Sequence, residues 1–126
     1  MMLSVVTFKW KPPPGFRTHF TGQHVTVLRN MVARHYQKPH RFICVTDNPD
    51  DGIANDIELI DLWKDYGHLP SPAGRGQPSC YRRLKMFSKE AEAMFGKRFV
   101  SLDLDAVILR DMVPVWDREE DFMIWG

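Results

Sequence analysis

Cysteines are scarce in this 126-residue chain, which contains only Cys44 and Cys80 and no Cys-x-x-Cys pair. A disulfide framework and a cysteine-based zinc site are therefore not indicated. Cys44 lies in an apolar run, where a free and buried thiol is the usual outcome. Free thiols are typical of a reducing compartment, so we expect a cytoplasmic protein. A peripheral association with a membrane is compatible with that expectation.

Long hydrophobic runs are also missing. No apolar stretch approaches the roughly 18 residues that a membrane-spanning helix needs. The first eight residues lack the basic region and cleavage site of a signal peptide, and they are typical of a first strand instead. The length and the 44% hydrophobic content predict one soluble domain, residues 1–126.

Acidic residues are absent before Asp47. Seven basic residues precede it, whereas the rest of the chain carries ten basic and sixteen acidic residues. A basic lobe beside an acidic one suits an anionic ligand that a metal ion bridges to carboxylates. The alternative is a solvated helix face, which we favour for the cations that fall within a helical pattern. Other cations lie in a predicted loop and stay candidates for the ligand: Lys9, Lys11 and Arg17.

The apolar pattern predicts alternating strands and helices. Strands are expected at 3–8, 41–45, 57–60 and 99–102, and the start of another at 122–125. A first helix is expected from Thr21 or Gly22 to about Gln37. A second is expected to begin at Ser79, to restart at Ser88 and to end at Gly96. Residues 112–117 are typical of a short turn or helix.

This order of elements predicts an α/β domain with a mainly parallel sheet flanked by helices. In open α/β sheets the ligand lies beyond the carboxyl ends of the strands. Phe8 and Lys9, Asp47 and Asp103 all lie at such ends, so one crevice could collect them. Because the chain stops just as the last predicted element completes, we expect a domain that is incomplete at its C-terminus, with a natural end as the alternative.

Asp103-Leu104-Asp105 is the most informative motif, because it lies between the apolar runs 99–102 and 106–109. In extended backbone, residues i and i+2 point to the same side, so both carboxylates could face one ion. Mg²⁺ and Mn²⁺ take such oxygen ligands and often share them with substrate phosphates. The alternative is an Asp pair in a tight turn. The flanking apolar runs favour the ion site.

Several motifs resemble those of GT-A-type glycosyltransferases, in particular glycosyltransferase family 8. The DxD motif follows an apolar run, and Tyr81-Arg82-Arg83-Leu84, about twenty residues upstream, resembles the family's Y-x-R-L segment. The opening strand, and Thr46-Asp47 at the end of the second strand, also resemble the family's pattern. Residues 111–116 resemble the continuation after the DxD. The resemblance extends over the whole chain, but only as the donor-binding front part of such an enzyme.

The resemblance implies a Rossmann-like nucleotide-diphospho-sugar transferase fold and a metal-dependent glycosyltransferase. The donor would be a UDP-sugar, the cofactor Mn²⁺ or Mg²⁺, and the acceptor is not identified; nucleic acid is not an expected partner. Asp103 and Asp105 would ligate the metal, and Asp103 would also lie toward the ribose. Arg83 would hold the phosphate or sugar, where a guanidinium fork is well suited. The other implied donor contacts are Thr7 and Phe8 at the base, Asp47 at base or ribose, and Lys9, Lys11 and Arg75 at phosphates.

Each assignment has a structural alternative. Arg83 could be a surface helix residue paired with Glu90 or Asp103, and Thr7 a strand residue without a ligand role. Asp47 could belong to an Asx-turn, given Asn48-Pro49. No catalytic base or nucleophile is predicted.

Rival functions also stay open. A haloacid-dehalogenase-type phosphatase has a similar D-x-D motif, but Ala106 stands where that motif has Gly, and the 21 residues after Asp105 leave no room for its later motifs. A sugar-nucleotide pyrophosphorylase would need a Gly-rich signature after the first strand, where this chain is Pro-rich. A non-catalytic fragment that binds nucleotide and metal is the remaining alternative.

Overall fold

The structure is a computed structural model that describes residues 2–11, 14–15, 19–72 and 80–124. Within these residues, four strands form one sheet in the order β3-β2-β1-β4, and all neighbouring strands are parallel. The predicted α/β architecture with a parallel sheet is thus confirmed. The strands are Leu3–Lys9 (β1), His40–Thr46 (β2), Glu58–Asp61 (β3) and Phe99–Leu102 (β4); the helices are Gly22–His35 (α1), Lys89–Phe95 (α2) and Val113–Trp116 (α3), with a 3₁₀ helix at Cys80–Phe87.

The strand β1 forms the centre of the molecule, and all of its residues are buried. A parallel sheet covered on both faces needs strands that are apolar on both sides, which explains the nearly continuous apolar run in β1. On one face Val5 belongs to the same core as Leu28 of α1. On the other face Val6 belongs to the same core as Phe95 of α2. The helices therefore cover both faces and leave the carboxyl ends of the strands as a rim.

The helix α1 begins against the loop that follows β2. The Gly22 N–H donates to both the main-chain oxygen and the Oδ2 of Asp51, at 3.1 Å each. A Cβ atom at Gly22 would lie 2.1 Å from the Asp51 oxygen and 2.6 Å from the Ile53 nitrogen. Only glycine allows this close approach. The helix ends at His35, two residues before the predicted end.

The second predicted helix is divided. Residues 80–87 are 3₁₀ rather than α-helical, and Ser79, its predicted first residue, lies outside the described residues. The Arg82 carbonyl accepts a hydrogen bond from Trp63 Nε1 at 2.6 Å, so a distant side chain holds this segment. The predicted restart is confirmed, because α2 has Ser88 as its N-cap and ends before Gly96 at φ 85°.

The remaining elements are close to the predictions, except at the end of the chain. The strand β3 is displaced by one residue, and α3 confirms the short helix. The strand predicted at 122–125 is wrong for residues 122–124, which are irregular and exposed, while Trp125 lies outside the described residues. The Phe122 ring packs against the Phe87 ring, with the two ring centroids 6.2 Å apart, instead of entering the sheet. No helix in the described part of the chain is both long and apolar enough to cross a membrane.

Candidate functional site

The carboxyl ends of the strands form the candidate site. In the register of the sheet, Lys9 of β1 pairs with Thr46 of β2, and Thr7 of β1 pairs with Leu102 of β4. Residues that follow these strands, including Asp47 and Asp103, therefore leave the sheet at the same rim. This placement was predicted from the order of the elements.

Asp103 and Asp105 lie in a turn and not in extended backbone. The Ala106 N–H donates to the Asp103 main-chain oxygen at 3.1 Å, which closes a four-residue turn. The strand predicted at 99–102 is confirmed, but the extended backbone assumed for 103–105 was wrong, and the tight turn named as the alternative is confirmed. Leu104 is buried in the core and anchors the turn, while both carboxylates are exposed.

The two carboxylates are hard oxygen donors of the kind that Mg²⁺ and Mn²⁺ take, with water or substrate phosphate completing the shell. In this respect the residues fit a divalent cation. Among the described residues, no group of three or more His, Cys, Asp or Glu side chains could hold a metal ion. Ligation of a metal by Asp103 and Asp105 stays a prediction.

Arg83 provides the central contact of the site. It forms an ion pair with Asp103, which is one of the two partners that the structural alternative named. The guanidinium carbon lies 5.6 Å from the Phe8 ring centroid and 5.4 Å from that of Trp10. The buried Nε has no hydrogen-bond partner in the described structure. Arg83 thus lies beside two aromatic rings and has one buried donor without an acceptor in the described structure.

Lys9 has a different partner from the one predicted. Its side chain is 2% exposed, and Nζ lies 2.6 Å from Oδ2 of Asp51. The Lys9 ammonium lowers the pKa of the Asp51 carboxyl below its usual range. Since Asp51 also binds the first turn of α1 through Gly22, this pair connects β1, the loop after β2 and the helix. The structure therefore gives Lys9 a contact that stabilises the fold, and its predicted contact with a phosphate stays a prediction.

Asp47 lies at the rim and is exposed, but its carboxylate has a protein partner. Its Oδ1 accepts a hydrogen bond from the Lys11 N–H at 3.0 Å, which joins the loops after β1 and β2. The Asn48 N–H donates to the Thr46 side chain at 3.0 Å, so the Asx-turn is replaced by a turn that Thr46 closes. A contact of Asp47 with base or ribose stays a prediction.

The two residues predicted to border the base belong to the sheet and its core. Thr7 is fully buried, and its hydroxyl donates to the Leu102 carbonyl at 2.9 Å, which ties β1 to β4. Phe8 is buried against Trp63, with ring centroids 5.6 Å apart. The structure therefore gives Thr7 the structural role that the alternative described. Phe8 reaches the site through its contacts with Arg83 and Trp10. The loop cations Arg17 and Arg75 lie outside the described residues.

Two residues of the site were not predicted. Trp10 follows β1 directly and is half-buried beside Arg83. An aromatic residue immediately after a buried strand, at the rim where ligands bind, was the available signal. Asp51 was also missed, because nothing in the local sequence connects it to Lys9, which is 42 positions away.

Comparisons of the chain with protein-family models, with curated proteins and with solved structures found no match.

Proposed function

We propose that this chain is the donor-binding portion of a metal-dependent glycosyltransferase, which transfers a sugar from a UDP-sugar to an acceptor not yet identified. The all-parallel sheet with helices on both faces supports a Rossmann-like domain of the GT-A type. In such domains ligands bind at the carboxyl rim of the strands.

The observation that carries the proposal is the meeting of Arg83 with Asp103. These residues are 20 positions apart and come from two different elements, the 3₁₀ helix and the turn after β4. Their contact joins the Y-x-R-L segment to the DxD motif at the rim. A cationic fork next to two exposed carboxylates is suited to a diphosphate whose charge a divalent ion shares.

Each group has a role that its chemistry fits. Asp103 and Asp105 would hold Mn²⁺ or Mg²⁺, which when bound neutralises negative charge on the departing diphosphate. The Arg83 fork would bind phosphate or sugar oxygens, since its planar set of N–H donors suits oxyanions. Nη1 of this fork, which donates to Asp103 in the structure, is the donor at the rim. Phe8 and Trp10 would keep the guanidinium in place.

A thermal-shift experiment with UDP and Mn²⁺ tests the proposal. We expect the two ligands together to raise the melting temperature, with about 2.7 kcal/mol of stabilisation at 100 times the dissociation constant. The Asp105→Ala variant should fold and lose the metal-dependent part. Asp65→Ala is the control, because Asp65 is, like Asp105, an exposed carboxylate, and it pairs with Lys85 of the 3₁₀ helix. An equal UDP effect in chelator, or an undiminished effect in Asp105→Ala, would contradict the proposal.

Calorimetric titration identifies the donor. A panel of nucleotide sugars would be titrated in Mn²⁺, and we expect UDP-sugars to bind more tightly than the corresponding GDP- and ADP-sugars. A preference for unphosphorylated sugars, or no difference between nucleotides and inorganic diphosphate, would argue against a nucleotide-sugar site.

A further inference from the structure

The Arg83–Asp103 ion pair joins two residues to which the proposed function assigns ligands of opposite charge. Asp103 would bind a cation and Arg83 an anion, yet here each is the partner of the other. We infer that Arg83 is a built-in counter-cation of Asp103, which a divalent cation displaces, so that the cation makes Arg83 available to the anionic ligand. This inference rests on the proposed function and concerns the order and coupling of binding at that site.

The exposure of the two side chains allows such an exchange. Arg83 is 30% exposed and Asp103 is 62% exposed. Ion pairs in contact with solvent contribute little, because water competes for both charges. A divalent ion that binds two carboxylates carries twice the charge of the guanidinium and can replace it at Asp103. The Lys9–Asp51 pair of the same rim differs, since its ammonium is almost completely buried.

The aromatic rings explain where Arg83 would remain after the exchange. Phe8 and Trp10 both lie within cation–π distance of the guanidinium and do not depend on Asp103. Phe8 is fixed in the core and packs edge-on against Trp10, with centroids 6.4 Å apart. The charge would therefore stay at the rim, with Nη1 released and Nε still without an acceptor. The released Nη1 would then be available to phosphate oxygens, whereas Nε stays buried.

Coupling between the two ligands follows from this arrangement. In the metal-free protein, an anion at Arg83 must compete with Asp103. With the cation bound to Asp103, the anion no longer competes with Asp103 for Arg83. By linkage, the anion must increase the affinity for the cation by the same factor. Part of any such coupling comes from direct contact between cation and diphosphate, and Arg83 adds a part that its removal abolishes.

Binding of Mn²⁺ alone, measured by calorimetry or by electron paramagnetic resonance of the free ion, separates this inference from a simple anion-binding role. The Arg83→Ala variant should bind Mn²⁺ about two- to fivefold more tightly than the unaltered chain, because a competing cation is removed. The same variant should bind UDP more weakly in Mn²⁺ and with nearly unchanged affinity in chelator. The factor by which Mn²⁺ strengthens UDP binding should therefore fall.

Two variants serve as controls. Lys85→Ala removes a cation of the same 3₁₀ helix that pairs with Asp65, and it should leave the Mn²⁺ affinity unchanged. Arg83→Lys keeps the charge and should keep the lower Mn²⁺ affinity, and it also reports on the site if Arg83→Ala fails to fold.

The possible failures are distinguishable. If Mn²⁺ binds the unaltered chain through Asp105 but Arg83→Ala binds it equally or less tightly, the exchange is wrong and the proposed function stands. The same conclusion follows if Lys85→Ala strengthens Mn²⁺ binding as much as Arg83→Ala does. If neither the unaltered chain nor Arg83→Ala binds Mn²⁺, the inference and the metal-dependent function are both overturned.

Discussion

Removal of Asp51 should destabilise the protein much more than removal of its partner Lys9. In Asp51→Ala the ammonium of Lys9, 2% exposed, would lose its counter-ion in a place that water hardly reaches. In Lys9→Met the aliphatic stem is largely kept, and the carboxylate that remains is 31% exposed and still accepts from Gly22. The two halves of one ion pair should therefore differ in their effect.

The expected magnitudes follow from the exposures. Removing one partner of a buried pair costs about 3–5 kcal/mol, and the partial exposure of Asp51 favours the lower end, about 3 kcal/mol. Lys9→Met should cost about 1 kcal/mol, as for a lost hydrogen bond whose remaining partner is hydrated. For a chain of this length, a loss of 3 kcal/mol lowers the melting temperature by about 10 °C. Urea unfolding gives the free energies directly.

The double variant and the pH dependence test the cause. Lys9→Met/Asp51→Ala should be more stable than Asp51→Ala alone, because no buried charge remains. In the unaltered chain the pKa of Asp51 is lowered, so the pair stabilises the fold above the carboxyl's unfolded pKa, and this contribution is lost as pH falls through the folded pKa. Equal losses in the two single variants would refute the reasoning. Weaker UDP binding by folded Lys9→Met would support the predicted contact of Lys9 with a phosphate.

Two further predictions concern other buried features. Ellman's reagent should modify one thiol of the native protein and two after denaturation. Cys80 is exposed, whereas Cys44 is buried, and burial raises the pKa of the Cys44 thiol to about 12. Rapid modification of both thiols in the native protein would contradict the burial of Cys44. Gly22→Ala should lower the unfolding free energy by about 1–3 kcal/mol, because the alanine Cβ would overlap the backbone of the loop after β2. An unchanged urea midpoint would show that this loop moves freely.

Local patterns predicted the elements well, for physical reasons that are themselves local. The strands β1 and β2 are buried on both faces and therefore appear as apolar runs. Pro39 stops α1 early, and Gly96 allows the positive φ after α2. The 3₁₀ helix could not be predicted in this way, because it is held by tertiary contacts such as the hydrogen bond from Trp63, 19 positions away, to the Arg82 carbonyl.

The site was predicted in its location but not in its contacts. The order of the elements was enough to place Asp47 and Asp103 at one rim. The turn at Asp103 was the less favoured alternative, because apolar residues on both sides favoured an ion site in extended backbone. In the structure Leu104 and Ile108 enter the core from irregular backbone, and Val107 is exposed. Partners such as Arg83 and Asp103 depend on how the 3₁₀ helix packs, which a local pattern does not contain.

The charge asymmetry of the chain has a different explanation from the one that the sequence suggested. Four cations from the basic first part pair with acidic residues from the rest, so most of the asymmetry is neutralised within the fold by contacts between distant segments. These pairs are Lys9–Asp51, Arg29–Asp56, Lys38–Asp117 and Arg41–Glu58. An anionic ligand is therefore not needed to account for the basic lobe. The case for one depends instead on Arg83, whose partner is an exposed rim carboxylate and whose Nε has no acceptor in the described structure.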